Sequence, residues 1–221
     1  MSTAGPTLID LTLPVPEKQA GQETCRLEER HLMCAELPYT GMVHHFQHDS
    51  MAGTYIDFPG HIKETDDGLR ASTYPLNRLF RVPAAVIRLQ RTSGSGRISA
   101  DDLAGACPKG SVAQALILNA LGPLRFDQIL ERSVYLGRDA VDWIVSSGYH
   151  LLVSDVYESN VDPQQVFNRL FAGGVSTVCH PINLHKINRP FVRLTVLPLS
   201  FPTATQLPCR GVVELECDLP T

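Results

Sequence analysis

No stretch of this sequence approaches the ~18 consecutive apolar residues that a membrane span requires. Its opening segment, MSTAGPTLIDLTLPVPEKQAG, has neither the basic head nor the apolar core of a secretory signal. The expectation is a cytoplasmic protein without membrane contact. Basic charge is not in excess: 19 Lys and Arg against 23 Asp and Glu leave a net charge of −4. That disfavours a nucleic-acid binder, whose phosphate contacts demand a basic face. No two cysteines form a C-x-x-C pair, which argues against a zinc ribbon or a thioredoxin-type centre. The six that exist, Cys25, Cys34, Cys107, Cys179, Cys209 and Cys217, are expected as buried thiols and not as a disulfide frame. Cys179 stands out because His180 follows it. No G-x-x-x-x-G-K-[ST] phosphate loop, internal repeat, low-complexity tract or linker is present.

What the sequence does have is enough apolar material for one core. With 43% apolar and 19% charged residues over 221 positions, a single globular domain spanning 1–221 is expected. Strands are predicted over residues 7–14 (closed by Pro14), 53–58, 82–90, 111–121, 151–155, 191–199 and 210–217. Helices are predicted at 137–147, closed by Gly148, and at 162–172. A shorter helix starts at Ser99, where Asp102 completes a capping box before Leu103. Residues 15–35 are charged and turn-rich, and read as a surface arm or hairpin; His44 and His45 read as an exposed loop pair. Trp143 is expected in the core, and Glu158 at a strand end is as compatible with a solvated loop as with a ligand site. Strands alternate with helices in the middle and dominate both ends, which predicts an α/β fold with a mixed central sheet.

The densest chemistry lies in residues 44–67, which contain His44, His45, His48, Asp49, Tyr55, Asp57, His61, Glu64, Asp66 and Asp67. Tyr55 and Asp57, two apart on a strand, project from the same face. Gly60 allows a turn that could return His61 toward Asp57. An Asp beside a His supplies a general base with its orienting partner, and a phenol supplies a donor for a developing oxyanion. The plain alternative is a set of polar strand-end residues serving turns and solubility.

Met-Ala-Gly-Thr-Tyr-Ile-Asp-Phe-Pro-Gly-His at 51–61 resembles H-x-G-T-H-x-D-x-P-x-H, the motif of the cyclase family that includes bacterial kynurenine formamidase and isatin hydrolase. Gly53, Thr54, Asp57, Pro59 and His61 stand in register. Leu8 to Thr12, Arg81 to Leu89, Ile98 to Leu103, Asp139 to Asp155, Leu197-Pro198-Leu199 and Cys209-Arg210-Gly211 resemble further family elements, so the likeness runs nearly the length of the chain. It implies a swivelling β/β/α architecture. It also implies dimers or tetramers in which N-terminal arms cross between subunits, a role that residues 15–35 suit.

The resemblance further implies one or two divalent metals held by the two motif histidines, the Asp, a later His and a later Glu. Here the histidine positions hold Met51 and Tyr55, the later His falls on Phe167 or Asn168, and the later Glu falls on His180. A zinc or manganese site needs about three ligands of suitable type; Met is too soft, and a neutral phenol replaces imidazole poorly. The reading is a retained active-site cavity with no metal and no cofactor. A site rebuilt from His48, Asp57, His61 and His180 is the counter-reading.

Three functions follow as expectations. The first is a metal-independent enzyme that closes a ring, dehydrates or performs related acid–base chemistry on a natural-product, polyketide-like small molecule. In it His61 is general acid or base, Asp57 orients it, Tyr55 donates to the substrate oxygen and His180 acts from the opposite wall. Met51, Phe46, Phe58 and His48 would contact the substrate. The second is a metal-dependent amide or lactone hydrolase with a remodelled site. The third is an inactive binding protein, against which the joint retention of Asp57 and His61 speaks. A homodimer or homotetramer is expected.

Overall fold

The computed structural model describes residues 7–33, 38–91, 96–110 and 112–215. Cys34, Cys217, the last residues of the expected arm and the end of the expected 210–217 strand lie outside them. The elements in chain order are β1 (Leu8–Asp10), β2 (Lys18–Gln19), β3 (Gln22–Glu23), β4 (Cys25–Leu32), β5 (Tyr39–Phe46), β6 (Tyr55–Asp57), β7 (Val82–Arg88), β8 (Gly96–Ile98), α1 (Ala100–Ala106), β9 (Ala115–Asn119), β10 (Val134–Leu136), α2 (Arg138–Ser146), β11 (Leu151–Ser154), α3 (Val166–Ala172), β12 (Ser176–Cys179), β13 (Phe191–Pro198) and β14 (Gln206–Glu214).

The main sheet runs β1-β14-β13-β7-β9-β11-β12-β6, and β6 pairs back onto β14, so the sheet closes on itself. β7, β9, β11 and β12 are parallel to their neighbours in that series, and the remaining pairings are antiparallel. The parallel strands are apolar on both faces because both faces are covered. Ala115 and Ile117 of β9 turn inward to meet Ile56, Phe58 and Val153. Leu116 and Leu118 turn outward to meet Leu103 of α1, Ala140 and Ile144 of α2, and Leu170 of α3. Alternation with period two places successive side chains in two separate cores. The capping box at Ser99 and Asp102 forms as the sequence predicts.

Several elements depart from their predicted extent. β1 stops at Asp10 because the Asp10 carboxylate accepts from the Thr12 backbone N–H at 3.0 Å and turns the chain. The arm continues through β5 to Phe46, so His44 and His45 sit on a strand, not in a loop; His45 pairs with Glu28 on β4 at 2.7 Å. α3 begins only at Val166. β12 is a strand that the sequence pattern alone does not predict. Of the cysteines, Cys179 and Cys209 are buried thiols, but Cys25 is exposed. Among the described residues, no helix is long and apolar enough to cross a membrane.

Candidate active site

β6 lies between β12 and β14, and its register builds the site. Asp57 stands opposite Thr177 on one side and Gln206 on the other; Tyr55 stands opposite Cys179 and Pro208. Directly opposed residues share a face, and residues two apart on a strand share it too. Tyr55, Asp57, Thr177, Cys179 and Gln206 therefore form one polar patch on the outer, helix-bearing face of the barrel, while Ile56 points into the interior core. Alternation with period two gives the 53–58 segment a polar side and an apolar side. Both sides are buried, with Tyr55 and Asp57 only 8% and 3% exposed.

A cavity of about 580 Å³ opens beside this patch, past the carboxyl ends of β11 and β12, with Tyr55, Cys179 and His180 on one wall. Phe126, Tyr157 and Phe167 supply aromatic surface, and Met51 sits at its border. His180 follows β12 directly in a left-handed backbone conformation, φ 55°. The Thr54 hydroxyl donates to the His180 carbonyl oxygen at 2.8 Å. The imidazole meets Tyr55 edge-on at 5.2 Å between ring centroids and stacks on Phe126 at 4.1 Å. Burial lowers its pKa, which keeps the ring neutral and able to take a proton. Burial chiefly, then the neighbouring Cys179 and Asp57, push the Tyr55 phenol well above its ordinary value. The phenol thus stays a hydrogen-bond donor.

Asp57 is the costly member of the patch. One carboxyl oxygen accepts from Thr177 Oγ1 at 3.4 Å and from Cys179 Sγ at 3.7 Å; the other, Oδ1, has no partner. Burial raises its pKa, opposed by the neighbouring Gln206 amide and then by the nearby His61. A carboxyl whose folded pKa exceeds its unfolded one destabilises the fold as pH rises from the unfolded value, 3.8, through the folded one. Each unit of that rise costs about 1.4 kcal/mol above the folded value. Asp57→Asn is therefore expected to be more stable than the parent at about pH 8. Its stability should also fall less than the parent's as pH rises from about 4 to about 8. Urea denaturation at the two pH values checks this, and a variant less stable than the parent at the higher pH contradicts it.

The remaining expected residues separate. His61 ends the short 3-10 turn Pro59–His61 and is exposed. It makes no direct hydrogen bond to Asp57. Gln206 lies between them, its Nε2 3.3 Å from His61 Nε2 and its Oε1 accepting from the Ser50 hydroxyl. Phe58 does not line the cavity: it is fully buried in the barrel interior against Tyr74, because its place in the alternation turns it inward. Phe46 is 72% exposed on β5 and does not line the cavity. His48 is exposed, with Nδ1 2.8 Å from the Asp49 carbonyl oxygen.

Two acids at the cavity serve the scaffold. Glu158 accepts from the backbone N–H of Gln164 and of Val166, at 2.6 and 2.7 Å, holding the entry to α3. Asp155 accepts from the N–H groups of Ala120 and Leu121 and from the Asn119 amide, and burial pushes its pKa up to about 6. Tyr157 donates to the Leu152 and Val178 carbonyl oxygens and so offers the cavity its ring.

The divalent metal implied by the motif resemblance does not fit this donor set. One carboxylate stands with a thiol whose pKa burial pushes well up, a protonated phenol and an exposed Met51. The proposed set of His48, Asp57, His61 and His180 does not converge, and no group of three His, Cys, Asp or Glu side chains could hold an ion among the described residues.

The profile of a family described as "Putative cyclase" matches residues 9–161, well over half of the chain. No curated protein matches it in sequence. Among solved structures it is similar to a chain described as a predicted metal-dependent hydrolase from Bacillus stearothermophilus, at 17% identity and TM-score 0.66, covering 96% of this chain and 100% of that one. It is also similar to an isatin hydrolase bound to the product analogue thioisatinate, at 16% identity and TM-score 0.64, covering 93% and 91%. Isatin hydrolase A from Ralstonia solanacearum aligns at 16% identity and TM-score 0.67, covering 95% and 92%. At these identities the likeness establishes the fold.

Proposed function

This chain belongs to the cyclase family, and on that premise we propose that it is an enzyme of acid–base chemistry at a carbonyl, working without a bound metal. The observation that carries this reading is the neutral His180 imidazole edge-on to the protonated Tyr55 phenol on the wall of a cavity whose described residues assemble no metal-ligand set. In the proposed reaction His180 removes a proton adjacent to a substrate carbonyl. Tyr55 donates a hydrogen bond to the oxygen as negative charge develops there. The enolate carbon attacks a second carbonyl of the same molecule, a carbon–carbon bond closes a ring, and the imidazolium returns its proton to the new alkoxide. Loss of water from that alcohol completes a dehydrating cyclisation. Aromatic cavity walls suit a flat, largely apolar substrate of polyketide type. Asp57 tunes Tyr55, and His61 acts on Asp57 through Gln206.

Deuterium exchange tests the reading without knowledge of the natural substrate. Chelator-dialysed protein is expected to catalyse exchange at the activated carbon of 2-tetralone in heavy water, followed by NMR. Exchange that appears only after zinc or manganese is added would instead favour the second reading, a metal-dependent hydrolase; that reading draws support from the hydrolases that share the fold. No exchange under either condition would refute the acid–base assignment.

We also propose a homodimer held through the β4–β5 hairpin. Every β4 residue but Glu28 is exposed, and an isolated two-stranded hairpin is marginal in water. Pairing places Phe46 opposite Cys25 and His44 opposite Leu27 on one face, with Met42 two residues further along it. Phe46 and Met42 are 72% and 62% exposed. Replacing residues 27–44 with a short Gly-Ser link is expected to convert the protein to monomer by light scattering. An unchanged mass would place the interface elsewhere.

A further inference from the structure

Among the described residues, one Arg or Lys side chain lines the cavity, Arg132. It sits in a left-handed backbone conformation, φ 54°, which a side chain other than glycine adopts at a cost. His180 on the cavity wall is held in the same way at φ 55°. The turn that imposes this at Arg132 leads straight into β10: the Ser133 N–H donates to the Leu130 carbonyl at 3.0 Å, and the Gly96 N–H donates to the Ser133 carbonyl at 2.9 Å. Arg132 Nη1 donates to Asn160 Oδ1 at 3.0 Å, which orients the guanidinium. Its Nε lies 3.7 Å from Glu131 Oε1, beyond hydrogen-bond length, and the Glu131 side chain is 78% exposed. A pair so placed neutralises little.

The other acids at the cavity are already engaged. Asp127 is forked by Arg125, with Nε at 2.9 Å from Oδ1. Asp155 and Glu158 are taken up by backbone and amide donors. Among the described residues of the cavity wall, Arg132 is therefore the cation, and no carboxylate forks its guanidinium. Its field reaches the reacting groups, since it lowers the pKa of both Tyr55 and His180.

We propose that Arg132 is a specificity residue that binds a carboxylate of the substrate, set apart from the carbonyl that Tyr55 and His180 handle. The enzyme would thus select flat acids over their neutral analogues. The proposal rests on the reading of this cavity as the active site, but its test requires no turnover. A planar guanidinium with free N–H groups matches a carboxylate with two parallel hydrogen bonds, and a cavity of this volume holds a bicyclic acid with room to spare.

Calorimetric titration with 2-naphthoate and with 2-naphthamide tests it. The acid is expected to bind the parent protein at least about tenfold more tightly than the amide, the margin of a charge-assisted pair. Arg132→Gln should bring the acid down to the amide's affinity and leave the amide's own affinity in place. Arg132→Gly should do the same and melt no lower than the parent, because glycine accepts the positive φ without strain. It keeps the test available should the Gln variant fold poorly. An acid that binds the parent no better than the amide, including the case in which neither binds at millimolar concentration, overturns the proposal. So does undiminished acid binding in either variant. Acid selectivity that persists in His180→Asn alongside absent 2-tetralone exchange in the parent would reject the catalytic reading and leave the Arg132 site standing.

Discussion

His180→Asn is expected to slow 2-tetralone exchange by ~10²–10⁴-fold while leaving the fold intact, because it removes the base and little else. Asn tolerates the left-handed conformation at φ 55° better than His does, so the substitution carries no backbone penalty. Tyr55→Phe should lose ~10²–10³-fold by removing the donor to the developing oxyanion. If the two residues serve one transition state, the double variant should be far less impaired than the product of the single losses. The pH profile supplies an independent check. Burial depresses the His180 pKa below its ordinary 6.5, so the neutral base persists at lower pH than a solvated histidine would allow. The acid limb of kcat/KM should lie below that value, and should vanish in His180→Asn. An acid limb unchanged in the variant would assign it to another group.

Gly53→Ala is expected to be strongly destabilising. Gly53 has φ +69°, and a Cβ there would lie 2.5 Å from the Leu13 carbonyl oxygen and 3.0 Å from the Pro14 carbonyl carbon and the Val15 nitrogen. All three neighbours are backbone, and they cannot swing aside. The Leu13 carbonyl accepts from the Thr54 N–H at 3.0 Å, and the Leu13 N–H donates to the Thr54 hydroxyl at 2.7 Å. The positive φ costs about 1–2 kcal/mol for a residue with a Cβ, and the overlap adds about 1–3 kcal/mol. The sum is a large part of the ~5–15 kcal/mol that holds a typical domain together. Urea titration measures it, and an unshifted midpoint would mean that the 13–15 segment is free to withdraw. Activity should fall as well, because the Thr54 hydroxyl holds the His180 carbonyl and the Gly53 backbone touches the His180 ring.

The parts of this molecule that the sequence determined by itself are those whose causes lie within a few residues. Ser99 and Asp102 form their capping box because the partners are three apart. β9 and β11 are readable as unbroken apolar runs because both of their faces are covered, and Gly148 ends α2 in the positive φ its position demands. Tyr55 and Asp57 share a face by strand periodicity alone, which made the centre of the site legible. Phe58 points into the barrel and not into the cavity, because the direction of its side chain depends on which face the closed barrel encloses. The arm extends beyond residue 35 to Phe46 because its second strand, β5, is defined by pairing with β4 and not by its own alternation.

Gln206 could not have been found from the sequence: it lies 145 residues from His61 and reaches it only because β6 pairs with β14 as the sheet closes. The same closure inserts an amide between Asp57 and His61, which the motif spacing alone places side by side. Cys179 and His180 meet Tyr55 because β12 lies on the other flank of β6, and Arg132 reaches the cavity from a turn before β10. Local hydrogen bonds and side-chain period act along the chain and are written in it. Register between strands that are far apart is set by the competition of two cores for the same residues, and only the folded barrel resolves it.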